Sequence, residues 1–208
     1  MRGIFFLSVI LAFFGGCVSV NFPAQRPSDS SFTAFEFEPG NPLIEKRIIF
    51  INGCIDPAMA QNVTQALAYL NEKSTTEPIK ILINSSGGDG TAYMTMANMI
   101  KSVDAPVDTV NFSLCGSAAA MLFLNATGRR YAMQDSAFMI HDGSGKPKEL
   151  LEMYSKHQDE LLQSKCQLPP EWFPLKKKEI VISAEDAKKY KMIDEIITKV
   201  DLQLHDAD

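Results

Sequence analysis

Between residues 45 and 200, short apolar runs alternate with segments of helical period, and this alternation limits the chain to an α/β fold. Arg47–Ile51 within "EKRIIFINGCID" suits a buried strand. Asp56 then offers a helix N-cap with Pro57 in the first turn. Met59, Val63, Ala66, Leu67 and Leu70 follow at the spacing of one helix face. "PIKILINSS" (78–86) and "VDTVNFSL" (107–114) predict two further strands, with helices over 90–103 and from about Ser117. "RRYAM" and "AFMIH" predict two short strands. Residues 147–163 predict a helix whose apolar side carries Leu150, Leu151, Tyr154 and Leu161. Ser183, with Asp186 three residues on, caps a short helix before a last strand near 192–197.

At 208 residues and 46% apolar content the chain suits one domain, placed at 45–208. A net charge of −5 with scattered lysines argues against a nucleic-acid or anionic-membrane surface. The one lysine run, 176–178, reads as a solvated helix face. Residues 1–17 differ: Arg2 precedes the apolar run Ile4–Phe14, which ends in "GGC". This is the layout of a secretory signal with a lipobox, in which Cys17 is acylated and becomes the new N-terminus. Extending the run to residue 20 gives the alternative, an uncleaved signal anchor. Residues 18–44, rich in Pro, Ser and Gly, read as a tether. Cys54, Cys115 and Cys166 lack metal-ligand spacing, and no metal or cofactor is expected. Cys54 and Cys115 sit in strand-like runs, where a cysteine is ordinarily a small buried hydrophobe.

"INSSGGDG" (83–90) sets Gly87 and Gly88 between a strand and a helix. Lacking side chains, they let the backbone turn sharply and present N–H groups to an anion or a polarised carbonyl. A structural turn is the plainer explanation, and for Asp89 the plainer role is a helix N-cap.

The segments "RIIFINGCID", "ILINSSGG", "CGSAAAM", "RRYAMQDSAFMIH" and "ISAEDAKKYKMIDEI", in that order, resemble signatures of the Clp protease proteolytic subunit. The resemblance implies a spiral of strand–strand–helix repeats shared with the crotonases. Matched to the family's Gly-Gln-Ala-Ala-Ser-Met motif, "GSAAAM" sets Gly116 on the glycine, Ser117 on the glutamine, Ala120 on the nucleophilic serine and Met121 on the methionine. By the same resemblance His141 is the general base, Ser136 belongs to the approach to it, and Glu179 stands for the triad aspartate. The backbone amides of Gly88 and Met121 would be the oxyanion donors. Ser86 and "HDG" depart from the family's proline and "HQP".

With alanine at the nucleophile position, the resemblance implies a catalytically impaired peptidase that binds peptides or partner proteins outside the cytoplasm. Strand addition at a sheet edge would hold such a peptide. Two alternatives stay open. One is an active serine endopeptidase, with Ala120 replacing a native serine or with Ser117 as nucleophile. Ser117 stands about 5 Å along the helix axis from Ala120, and its plain role is to cap the helix. The other is a crotonase-like acyl-CoA enzyme, for which an acid/base glutamate beside the glycines is missing. The family also implies a homo-oligomer. The segment 142–182 is shorter than the family's ring-joining handle, so a smaller assembly is expected, and an ATP-driven unfoldase partner is not expected for an exported chain.

Overall fold

β1 (Ile48–Asn52), β2 (Ile79–Ser85) and β3 (Val107–Gly116) run parallel; the buried positions of β1 and β2 are apolar apart from Ser85, and those of β3 include the polar Thr109 and Asn111. The chain is seen in a computed structural model that describes residues 36–143, 147–175 and 179–201. β4 (Arg130–Met133) and β7 (Glu195–Ile197) extend the sheet in the order β1-β2-β3-β4-β7. β5 (Ala137–His141) and β6 (Glu179–Ser183) complete a seven-stranded sheet in a mixed α/β fold.

β3 has two sets of neighbours. Its first part, Thr109–Asn111, pairs with β4, and its last part, Leu114–Gly116, pairs with β5. The far end of β3 therefore carries its residues toward His141 at the end of β5. β6 returns antiparallel along β5 and sets Glu179 directly opposite His141.

The helices sit where their caps start them. The Asp56 carboxylate accepts the Met59 N–H at 2.8 Å to open α2 (Pro57–Lys73), preceded only by the short α1 (Pro42–Glu45). Asp89 accepts the Ala92 N–H at 2.7 Å to open α3 (Gly90–Ser102). α4 (Ala118–Leu124) follows β3, and α5 (Lys148–Lys165) follows β5. The Ser183 hydroxyl accepts the Asp186 N–H at 3.1 Å and opens α6 (Ala184–Lys189). Val63, Leu67 and Leu70 of α2, Met96 and Ile100 of α3, and Leu122 and Phe123 of α4 join Ile49, Ile51, Ile81 and Ile83 in one core. There Phe123 meets Phe138 edge to face at 4.9 Å.

Three expectations change. The folded domain starts before residue 45: Ile44 is fully buried, and Phe37 packs on Tyr69 with ring centroids 5.5 Å apart. β6 has no counterpart in the predicted elements. Cys54 lies exposed in the turn after β1, because that strand ends at Asn52. Cys115 is buried within β3 as expected, and Cys166 is buried as well. The lysine run 176–178 and residues 1–35, with Cys17, lie outside the described residues.

Arg47, at the entry to β1, is the main buried charge of the core rim. Its guanidinium donates to the carbonyls of Leu70 (2.9 Å), Glu77 (2.8 Å), Ser74 (3.1 Å) and Pro78 (3.2 Å), tying the end of α2 and the turn before β2 to β1. Burial lowers its pKa, and Glu77 acts against that. Arg47→Ala leaves these carbonyls without their donor and is expected to cost at least about 3 kcal/mol. A urea titration that shows less than half this loss contradicts the assignment.

Candidate active site

The site is built where two strand–helix turns meet. Gly87 and Gly88 have φ of 106° and 152°, values that L side chains rarely adopt. A Cβ on Gly87 would stand 2.8 Å from both the Gly116 carbonyl oxygen and the Ser117 Cβ. A Cβ on Gly88 would run into the Ile55 carbonyl. The absence of side chains thus lets the β2–α3 turn touch both the β1–α2 turn and the β3–α4 turn. The Ser85 hydroxyl accepts the Gly87 N–H at 3.1 Å and holds the first of these turns.

Ser117 occupies the second turn. It lies between the last residue of β3 and the first of α4, with φ 51° and ψ −122°, a strained geometry for a residue with a side chain. Its N–H donates to the Met139 carbonyl at 2.7 Å, which ties this sharp turn to β5. Its hydroxyl does not cap α4, contrary to the plain role expected for it. The side chain is half-buried and opens on a cavity of about 350 Å³. Gly88, Ala118, Met121 and His141 line the same cavity, with α5 as its far wall.

His141 is poised by its backbone surroundings. Its Nδ1 lies 2.6 Å from the Asp142 carbonyl oxygen. A carbonyl only accepts, so Nδ1 carries the proton, and Nε2 is left with a lone pair able to take one. Glu179 faces His141 across the antiparallel pair, with its side chain exposed. Gln158 of α5 donates to the His141 carbonyl at 2.9 Å, and Ser155 donates to the Asp142 carboxylate at 2.8 Å, so α5 holds the end of β5 in place.

The fold brings Ser117, His141 and Gly88 to one cavity, and it does not bring Ala120 there. Ala120 is fully buried, one turn into α4 and facing the core beneath the sheet. Ala120, the position that the resemblance matches to the family's nucleophile, is not among the lining residues of this cavity, and its side chain stands among core residues. Met121 lines the cavity, but its backbone N–H donates to the Ser117 carbonyl at 3.2 Å within α4 and is not available to an oxyanion. The N–H of Ala118, first in the helix, has no carbonyl one turn back to bond to. Ser136 serves the turn into β5 by donating to the Met133 carbonyl at 2.7 Å. Burial pushes the Cys115 thiol well up, so it stays protonated and is a poor nucleophile. Asp89 is engaged as the α3 cap, its plain role. Tyr93, also on the cavity wall, has its phenol pushed up to about 12 by burial.

Sequence reasoning missed the amide of Ala118 and the roof formed by α5. The first follows from where the helix starts: the amide of the first residue after the Ser117 turn has no intrahelical partner. The helix stripe Leu150, Leu151 and Tyr154 reads as a core face, yet these residues are half-buried cavity wall, and only Leu161 and Leu162 of α5 are buried.

The family model described as Clp protease matches residues 35–200. The chain is 32% identical over 177 residues to the ATP-dependent Clp protease proteolytic subunit 2 of Streptomyces coelicolor, covering 78% of this chain and 81% of that protein. It is 26% identical over 175 residues to the ATP-dependent Clp protease proteolytic subunit 3 of Frankia casuarinae, covering 78% and 82%.

Proposed function

The chain belongs to the Clp protease family, and from that premise we propose that it is an active serine peptidase with Ser117 as nucleophile. The observation that carries this reading is the position of Ser117. It sits at the strained β3–α4 turn on the cavity shared with His141, while Ala120 is in the core. Catalytic impairment, expected from alanine at the matched nucleophile position, is the competing reading, and an unreacted serine in the test below would favour it.

In this reading His141 Nε2 takes the Ser117 proton as Oγ attacks a peptide carbonyl, forming the tetrahedral intermediate. The amides of Gly88 and Ala118 hold its oxyanion. His141 then gives the proton to the departing amine, leaving an acyl group on Ser117, and water attacks that ester by the same route in reverse. The Asp142 carbonyl fixes the histidine tautomer, a task given to a carboxylate in the usual triad, and Glu179 stands opposite His141 in the strand pair. The test is reaction of purified protein with a fluorophosphonate, which modifies only an activated serine.

The two relatives are named as proteolytic subunits, which supports self-association here too. α5 packs on its own subunit through Leu161, Leu162 and the Tyr154–Thr91 hydrogen bond, which together with the short segment 142–182 supports an assembly smaller than a double ring. Light scattering is expected to give an oligomer smaller than a double ring; a monomer removes the association, and a double ring removes the handle argument. The run Ile4–Phe14 ending in "GGC" supports attachment to a membrane outside the cytoplasm through acylated Cys17. A fatty-acid analogue should label the wild type and not Cys17→Ala; equal labelling of both contradicts it. The ATP dependence named for the relatives is not carried over to an exported chain.

A further inference from the structure

α5 roofs the cavity with Leu150, Leu151, Tyr154, His157 and Gln158, positions that share one helix face. Four of them have clear occupations. The leucines form apolar wall, Tyr154 shares a hydrogen bond with Thr91 at 3.1 Å, and Gln158 donates to the His141 carbonyl. His157 differs: its Nε2 is buried and has no hydrogen-bond partner among the described residues. A buried polar atom left unpaired costs stability, and that cost is recovered when a turn of the imidazole about its own bond brings the nitrogen to a ligand group in the cavity.

Resting on the reading of Ser117 as nucleophile, we propose that His157 is the specificity-determining residue of this site. It selects a substrate side chain ending in a carboxamide, glutamine above all, for the residue on the acyl side of the scissile bond. The cavity of about 350 Å³ is of a size to take such a side chain. A neutral imidazole nitrogen is a donor or an acceptor according to tautomer, and a carboxamide offers a partner to either. The methylene stem of glutamine suits the walls of Leu150, Leu151 and Met121. A carboxylate of the same shape fits less well, because Asp89 is on the wall and no lysine or arginine is among the described lining residues. An apolar side chain of the same length leaves Nε2 as unpaired as it is in the empty site.

The test uses fluorogenic peptides that differ only in glutamine, glutamate or norleucine at that residue, with the full-length protein. The wild type is expected to prefer glutamine over norleucine by about tenfold in kcat/KM, and over glutamate as well. In His157→Leu the glutamine-to-norleucine ratio is expected to fall to about one or below. Because the ratio is taken within one protein, the fraction folded cancels. A wild-type preference for norleucine, or a ratio unmoved by His157→Leu and by His157→Phe, overturns the proposal. Binding of the same peptides as carboxamides to the Ser117→Ala protein reads the pocket without chemistry, and equal affinity for glutamine and norleucine there overturns it too. A glutamine preference in binding, with no fluorophosphonate reaction in the wild type, leaves His157 as the selector and overturns the nucleophile reading instead.

Discussion

Replacing Ser117 with alanine is expected to lower kcat for a peptide ester by about 10³–10⁶ while the protein keeps its fold. The side chain is half-buried on a cavity and makes no capping bond, so removing the hydroxyl takes away chemistry and little structure. Ala120→Ser provides the contrast. Position 120 is fully buried among apolar side chains, so an added hydroxyl without a partner costs about 1–3 kcal/mol and creates no nucleophile. Thermal melts and ester hydrolysis on both variants separate the two positions. Activity gained by Ala120→Ser, with Ser117→Ala still active, would reverse the assignment.

Gly88→Ala is expected to be the most damaging single methyl addition in the domain. At φ 152° an alanine is strained, and its Cβ would collide with Ile55, lying 2.8 Å from that residue's nitrogen. Ile55 is itself tied into the contact, accepting the Asp89 N–H at 2.8 Å and donating to the Gly87 carbonyl at 2.9 Å. The turns therefore cannot separate without breaking both bonds, and the loss is expected to exceed about 3 kcal/mol. Any folded fraction should have lost most of its activity, since the amide at 88 moves away from Ser117. A variant of wild-type stability in chemical denaturation contradicts this account of the turn.

The strand–helix alternation was legible because β1 and β2 are buried along most of their length and so read as nearly continuous apolar runs. Helix starts were legible because Asp56, Asp89 and Ser183 are caps, a local signal that tertiary packing did not override. β6 was not. It is an edge strand with Val181 68% exposed, and the lysines before it read as a solvated helix. The helical stripe of α5 was legible as a stripe, but periodicity alone does not distinguish a face that meets the core from one that roofs a cavity.

The site divided in the same way. His141 and Gly88 were legible from motif and order, and they lie together on the cavity. The turn residue was not, because "GSAAAM" is a run of small residues with no local signal for where the strand stops. Which of them stands on the turn depends on where β3 ends and α4 begins. The fold puts that junction at Ser117, whose backbone is held in a strained conformation by its bond to Met139 and by the close approach of Gly87. A strand-ending glycine followed at once by serine is the local clue to that turn.

The most direct measurement is the position of the adduct left by a fluorophosphonate on the purified full-length protein, read by peptide mass spectrometry. The account predicts one modification, on the peptide containing Ser117 and at Ser117 itself, and none after His141→Ala. An unmodified protein that is folded and binds peptide, or an adduct on a different serine that persists in Ser117→Ala, contradicts it.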